Sequence, residues 1–234
     1  MATKRLVPDP DFGRIEIRTN RRARNITMRP KDDGLHVTVP PFTKISTILA
    51  AIEPHREKLR EGCDRLRPRP IDFEFTIDAP CFKLTVAPGT HQFFSVHFDD
   101  DRAMVYCPPS VDFSLPDVQK LLRAGIVRAM KRQAEQFLPP LLAEHAARWG
   151  MTYKRVRITG ARLKWGSCTS GGTISLSCYL MLLPPHLMDY VLLHELAHTR
   201  EMNHGPQFYA LLNSMTDGMA LQLRSQLRSF RTSF

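Results

Sequence analysis

Apolar and polar residues alternate through the first half of the chain, then give way to longer runs of helical period. Residues 14–19, 24–29 and 35–39 are short alternating stretches, the period-2 signature of half-buried strands. Asn20-Arg21-Arg22 and Lys31-Asp32-Asp33-Gly34 supply the turns between them, and Pro40-Pro41 closes the set. Ile45, Ile48, Leu49, Ile52 and Leu59 recur at helical spacing and predict a helix over residues 43–60. Residues 65–70, rich in Arg and Pro and without a period, read as a linker or loop. Strands resume at 73–77, 82–86, 93–98 and 103–107, with turns at Pro88-Gly89 and Asp99-Asp100-Asp101.

The period then changes. Ser114-Leu115-Pro116-Asp117 opens a helical region running to about residue 149, which Pro139-Pro140 is expected to kink or divide. Residues 155–159 alternate again, with Val156 and Ile158 on one face. Gly166 and Gly171-Gly172 bracket a turn into a strand over 173–181. Pro184-Pro185 starts a helix carrying Leu187, Val191, Leu192, Leu196 and Ala197. Phe208, Leu211, Leu212 and Met215 repeat after Pro206, and Met219, Leu223, Leu227 and Phe230 make a last amphipathic helix. No internal repeat or low-complexity segment shows. The pattern predicts an α+β chain: a β-rich region with one helix over 1–115, then a mixed, mainly helical region over 116–234, as two domains or one continuous one.

At 234 residues and 43% hydrophobic content, the chain can bury a proper core. Residues 1–11 hold no apolar run fit for a signal peptide, and no segment approaches the ~18 apolar residues of a membrane span. The five cysteines, Cys63, Cys81, Cys107, Cys168 and Cys178, are odd in number and form no Cys-x-x-Cys pair, which predicts a reduced, cytoplasmic setting. The net charge of +10 is uneven: residues 1–70 carry +7, residues 71–115 carry −5, and residues 116–234 carry +8. Such a surface can attract nucleic acid or acidic proteins, or serve only to keep the chain solvated. No zinc finger, RNA-recognition signature or Gly-rich phosphate loop accompanies it.

The chemistry concentrates in His194-Glu195-Leu196-Ala197-His198 and His204. Residues four apart share a helix face, so His194 and His198 can aim two imidazoles at one point, with the Glu195 carboxylate beside them to hold and deprotonate a water. Six residues turn a helix by roughly 600°, so His204 can join only if the chain breaks after His198. Asn203, which tolerates left-handed geometry, together with Gly205 and Pro206, supplies the break. Glu201 competes as third ligand from the same face as His198, but would need no turn. Three neutral imidazoles leave a tetrahedral zinc one open position, the mark of a catalytic site, and zinc brings the pKa of water from ~15.7 towards ~7. Tyr190, four residues before His194, is a candidate oxyanion or supporting group, or a core aromatic; Tyr209 is a weaker candidate.

The segments Arg162-Leu163-Lys164-Trp165-Gly166-Ser167-Cys168, Ile174-Ser175-Leu176, Asp189-Tyr190-Val191, His194 to His198 and Asn203-His204-Gly205 together resemble the YgjP-like family of zinc metallopeptidase domains, relatives of the SprT-like and WLM peptidases. The resemblance is sharpest over residues 155–212 and extends loosely to Arg21-Arg22-Ala23-Arg24 and residues 35–41. It implies a zincin-like fold, one zinc ion per chain held by His194, His198 and His204, Glu195 as catalytic acid/base, and a polypeptide substrate. Ser177 stands where the family more often has Asn, and Glu201 where metzincins place a turn-forming Gly. Met215 and Met219 then read as core rather than as a Met-turn. Trp165 reads as packing or a cleft wall, Cys168 as a small buried residue. The strand over 173–181 is either an edge that pairs with an extended peptide or an internal strand.

Two other functions compete with a peptidase. A nucleic-acid-associated module would use the basic surface to bind DNA or RNA, with zinc secondary or serving hydrolysis of DNA-bound proteins. A non-catalytic interaction protein would use zinc only to hold the C-terminal helices, a role that leaves Glu195 without a purpose.

Overall fold

Two units divide between Arg69 and Pro70, inside the stretch read as a linker. The computed structural model describes residues 4–67, 69–99 and 102–230. In the first unit, β1 (Lys4–Asp9), β2 (Gly13–Thr19), β3 (Thr27–Lys31) and β4 (Gly34–Val39) form one sheet in the order β1-β2-β4-β3. The central pair β2 and β4 is parallel and both outer pairs are antiparallel. The alternation works as expected: Ile15, Ile17, Leu35, Val37 and Val39 are buried together with Phe12, Ile48, Ile52 and Cys63. β1 was not legible because Pro8 interrupts it, and an edge strand tolerates a residue without an N–H. The single helix expected over 43–60 is instead α1 (Ile45–Ile52), a 3-10 turn at Glu53–His55 and α2 (Arg56–Leu66). Pro54 is the cause, since its ring and missing N–H break the α-helical ladder.

The second unit opens with β5 (Thr76–Ala79), β6 (Phe82–Pro88), β7 (Ser95–Asp99) and β8 (Arg102–Cys107), in the order β5-β6-β8-β7. The path of the first sheet is thus run again, with the same parallel centre and antiparallel flanks. A repeat exists in topology although none is visible in sequence. β5 starts three residues later than expected because the Asp72 carboxylate accepts from the Glu74 N–H at 2.9 Å and makes a turn there. Asp100 and Asp101 of the expected turn lie outside the described residues.

α3 (Pro116–Arg148) is one helix of 33 residues, with Pro139 and Pro140 inside it and no division there. Leu122, Ile126, Met130, Ala134, Leu138 and Leu142 form an unbroken buried stripe through the prolines, and this packing holds the helix together. α3 shares its core with β6 and β8, so the expected boundary at 115/116 falls within the second unit.

A third sheet, β9 (Arg155–Thr159), β10 (Gly166–Cys168) and β11 (Thr173–Ser177), has the order β10-β11-β9. Gly172, at φ 72°, takes the left-handed position in the turn between β10 and β11. β11 is shorter than the strand expected over 173–181. The Ser177 hydroxyl accepts from the Tyr179 N–H at 3.2 Å, donates to the Ala161 carbonyl at 2.6 Å, and starts a 3-10 turn at Cys178–Leu182. β11 is also central, so of the two readings of this strand the internal one stands, and β10 is an edge.

Three helices complete the unit: α4 (Pro185–Ala197), α5 (Pro206–Met215) and α6 (Ala220–Ser229). Met215 is buried, but Met219 is 45% exposed and is not core. Among the described residues no helix is long and apolar enough to cross a membrane. Leu176→Ala, at a fully buried site of β11, should lower stability by about 2–5 kcal/mol in urea denaturation. Leu163→Ala, at a site 98% exposed, should stay within about 0.5 kcal/mol of the parent.

Candidate metal centre

α4 is apolar nearly all round. Leu187, Met188, Val191, Leu192, Leu193, Leu196 and Ala197 are buried, as expected of a helix inside a core. Pro184 sits at its N-cap and Pro185 opens its first turn. His145 of α3 meets Asp189 of α4 at 3.1 Å, linking the two helices at the edge of the core. On this helix His194 and His198 lie one turn apart, their ring centroids 4.9 Å from each other.

α4 stops at His198 because its last carbonyls are taken by a tight turn. The Thr199 N–H and hydroxyl both donate to the Leu196 carbonyl, and the Glu201 N–H donates to that of Ala197. Arg200 reaches the Gly150 carbonyl at 2.8 Å. The break occurs where expected, with Pro206 holding its predecessor out of the helical region, but no left-handed residue takes part: neither Asn203 nor Gly205 has positive φ. Gly205 is extended, at φ −85° and ψ −175°, and Pro206 then opens α5.

The turn brings His204 back, with ring centroids 5.1 Å from His194 and 4.6 Å from His198. One nitrogen from each of the three imidazoles lies within 4.8 Å of the other two. The Nε2 atoms of His194 and His204 are 3.1 Å apart. Zinc–nitrogen bonds of 2.0–2.1 Å in a tetrahedron require about 3.3 Å between donor nitrogens, so this spacing fits a metal. His198 Nδ1 lies 3.0 Å from the Glu201 carbonyl and, donating to it, leaves Nε2 with its lone pair. Glu201 thus contributes its main chain, and its carboxylate is not in the group. Phe208, fully buried on α5, lies 4.6–5.0 Å from all three imidazoles. Helical spacing marks Phe208 only as core; its place against the three rings depends on the fold.

Burial, then the neighbouring imidazoles, pushes His194 down to about 3, and burial also lowers His198. Both are therefore neutral at pH 7, the state in which imidazole binds metal. His194 Nδ1 and Glu195 Oε2 are buried without a protein partner. Burial alone pushes the Glu195 carboxyl up to about 7. The carboxyl fits only because residue 166 is a glycine: a Cβ there would stand 2.6–2.8 Å from its Oε1, Cγ and Cδ atoms. This close approach of β10 to α4 gives the Trp165-Gly166 pair a physical reason.

A cleft of about 350 Å³ runs past these groups. β10 and the residues just before it line one wall, with Trp165 as expected; α4 lines the floor, and α6 a further wall through Arg224, Leu227 and Arg228. Tyr190 is buried, lines the floor 5.9 Å from the His194 ring, and is held protonated by burial. Tyr209 instead accepts a hydrogen bond from Arg224 at 2.7 Å. Cys168 is half-buried, its thiol pushed up by burial and then by the nearby Glu195. Ser177 is buried in the hydrogen bonds described above and does not line the cleft. Arg224 and Arg228 were missed, although with Leu227 their i, i+3, i+4 spacing was visible on the last helix.

The family model for the YgjP-like metallopeptidase domain matches residues 24–230. No curated protein matches the chain. Among solved structures, the metallopeptidase zymogen of Pyrococcus abyssi abylysin is similar at 24% identity and a TM-score of 0.36, over 38% of this chain and 90% of that one. The metallopeptidase zymogen of Methanocaldococcus jannaschii jannalysin is similar at 22% identity and a TM-score of 0.31, over 38% of this chain and 94% of that one.

Gly166→Ala should cost about 1–3 kcal/mol, since the added methyl must displace the Glu195 carboxyl or the strand. An unchanged urea midpoint would show that the carboxyl moves aside freely.

Proposed function

Because the chain belongs to the YgjP-like metallopeptidase domain family, we propose that this metal-dependent peptidase works at a zinc ion held by His194, His198 and His204, with Glu195 as general acid/base. The observation that carries the reading is the convergence of three imidazole nitrogens beside a buried carboxyl with an unpartnered oxygen. When bound, a divalent metal supplies polarisation of the scissile carbonyl and acidification of water.

The remaining steps fall to side chains. A carboxyl poised near 7 exchanges its proton readily at neutral pH, which suits a group that must first accept and then donate. Glu195 takes the proton of the attacking water at Oε2 and returns it to the departing amine nitrogen. Gly166 keeps that carboxyl in place. The Tyr190 phenol, protonated by burial and lining the floor, donates to the oxygen that gains charge. β10, an edge of its sheet beside the cleft, offers main-chain groups to an extended polypeptide substrate. Its alternation of main-chain donors and acceptors aligns a peptide without reading its sequence.

Chelation should abolish hydrolysis of a denatured-protein substrate, and added zinc should restore it. Glu195→Gln should still bind about one zinc per chain by elemental analysis, with turnover lowered by at least about 10²–10⁴-fold; retained turnover would remove Glu195 from this role. Tyr190→Phe should lower kcat by about 10²–10³-fold with zinc content unchanged.

A further inference from the structure

Most of the cleft is accounted for by the chemistry above, but its α6 wall is not. Arg224, Leu227 and Arg228 occupy one face of α6, at i, i+3 and i+4, and all three line the cleft. Arg224 is half-buried there. Its Nη1 donates to the Tyr209 hydroxyl at 2.7 Å and its guanidinium carbon lies 6.0 Å from the centre of that ring. Tyr209 itself stands on α5, five residues after His204, so the arginine is tied to the element that delivers the third imidazole. No carboxylate among the described residues pairs with Arg224.

A guanidinium has five N–H donors in a planar fork that matches a carboxylate through two parallel bonds. One of its nitrogens is engaged by Tyr209, which orients the fork and lowers the entropy lost on binding. Lys164, just before β10, and Arg228, one turn along α6, line the same cleft and carry positive charge. Glu195 is the one acidic side chain among the described residues that line the cleft. The wall is built to receive an anion.

We propose that Arg224, oriented by Tyr209, forms a subsite for a substrate carboxylate on the α6 side of the reacting centre. The carboxylate comes either from an Asp or Glu side chain near the scissile bond or from a free peptide C-terminus. This inference rests on the peptidase reading for its substrate class, and its test separates the two.

Zinc-loaded protein is incubated with a proteome-derived peptide library, and cleavage sites are mapped by mass spectrometry. Enrichment of Asp or Glu at one fixed position identifies the side-chain source; cleavage at a fixed distance from free C-termini, lost on amidation, identifies the terminal one. Matched acidic and neutral peptides then give kcat/KM ratios. We expect Arg224→Gln to reduce the acidic-over-neutral ratio at least tenfold, Arg224→Lys to retain part of it, and Tyr209→Phe to weaken it. Chelator-sensitive cleavage with no acidic or terminal preference, or a preference that survives Arg224→Gln, overturns the subsite while leaving the peptidase intact.

A second measurement does not depend on turnover. Zinc-loaded Glu195→Gln protein is titrated with dye-labelled peptides that contain Glu or Gln and end in a free acid or an amide, with anisotropy as the readout. The carboxylate forms should bind at least tenfold tighter, and adding Arg224→Gln should erase the difference. Equal binding of all forms overturns the subsite even if no peptide is ever cleaved.

Discussion

A helix can bring two side chains to one point from successive turns, but a third must come from elsewhere, and this constraint organises the second unit. His194 and His198 use up what α4 can offer. His204 has to be returned by a reversal short enough to keep it near and rigid enough to hold its ring. The turn meets both needs with main-chain bonds to Leu196 and Ala197 and with Arg200 anchored on Gly150. Phe208 then sits against all three imidazoles, so the start of α5 holds the ring that precedes it in sequence. The same reversal places the Glu201 carbonyl on His198 Nδ1, so one turn both closes the trio and selects a tautomer.

Such a cluster lies in an unfavourable environment for polar groups. Glu195 is 5% exposed and has an oxygen without a partner, which costs about 1–3 kcal/mol. The surrounding structure keeps it there. α4 is buried on nearly every face, α3 runs through the core without a break despite two prolines, and β10 comes so close that only glycine fits. A less rigid frame would let the carboxyl turn towards solvent, recover its hydration and lose its raised pKa. The size of the core and the strain of the site are therefore connected: the first makes the second affordable.

The parts of this arrangement that depend on local periodicity were legible in the sequence. The helix bearing His194 and His198, the break before Pro206, the last two helices and most strands follow from spacing and from the positions of proline. What was not legible depends on partners distant in the chain. Whether β11 is an edge or a centre depends on β10 and β9 lying on either side of it, which no run of residues records. Ser177 ends that strand through a carbonyl sixteen positions earlier. Pro54 was a local signal and was passed over, whereas Pro139 and Pro140 were given a breaking power that the buried stripe of α3 overrides. The duplicated strand order is the extreme case: the same path is specified twice by sequences that share only an alternation of apolar and polar positions.

That last observation bears on how the cleft divides its labour. Strand order and core tolerate wide change so long as the pattern survives, but the floor of the cleft does not, because Gly166, Glu195 and the three imidazoles constrain one another within a few ångströms. The α6 wall is different. It is a surface helix whose buried residues, Ala220 and Leu223, are separate from the Arg224 side chain that lines the cleft, so Arg224 can be exchanged without disturbing the packing of α4. On the proposed function and subsite, reaction chemistry would be tied to the rigid interior and substrate choice to a replaceable face. Tyr209 is the exception that joins them, since it stands on the helix that presents His204 and also holds Arg224. A change at Tyr209 should therefore be felt both at the third imidazole and at Arg224.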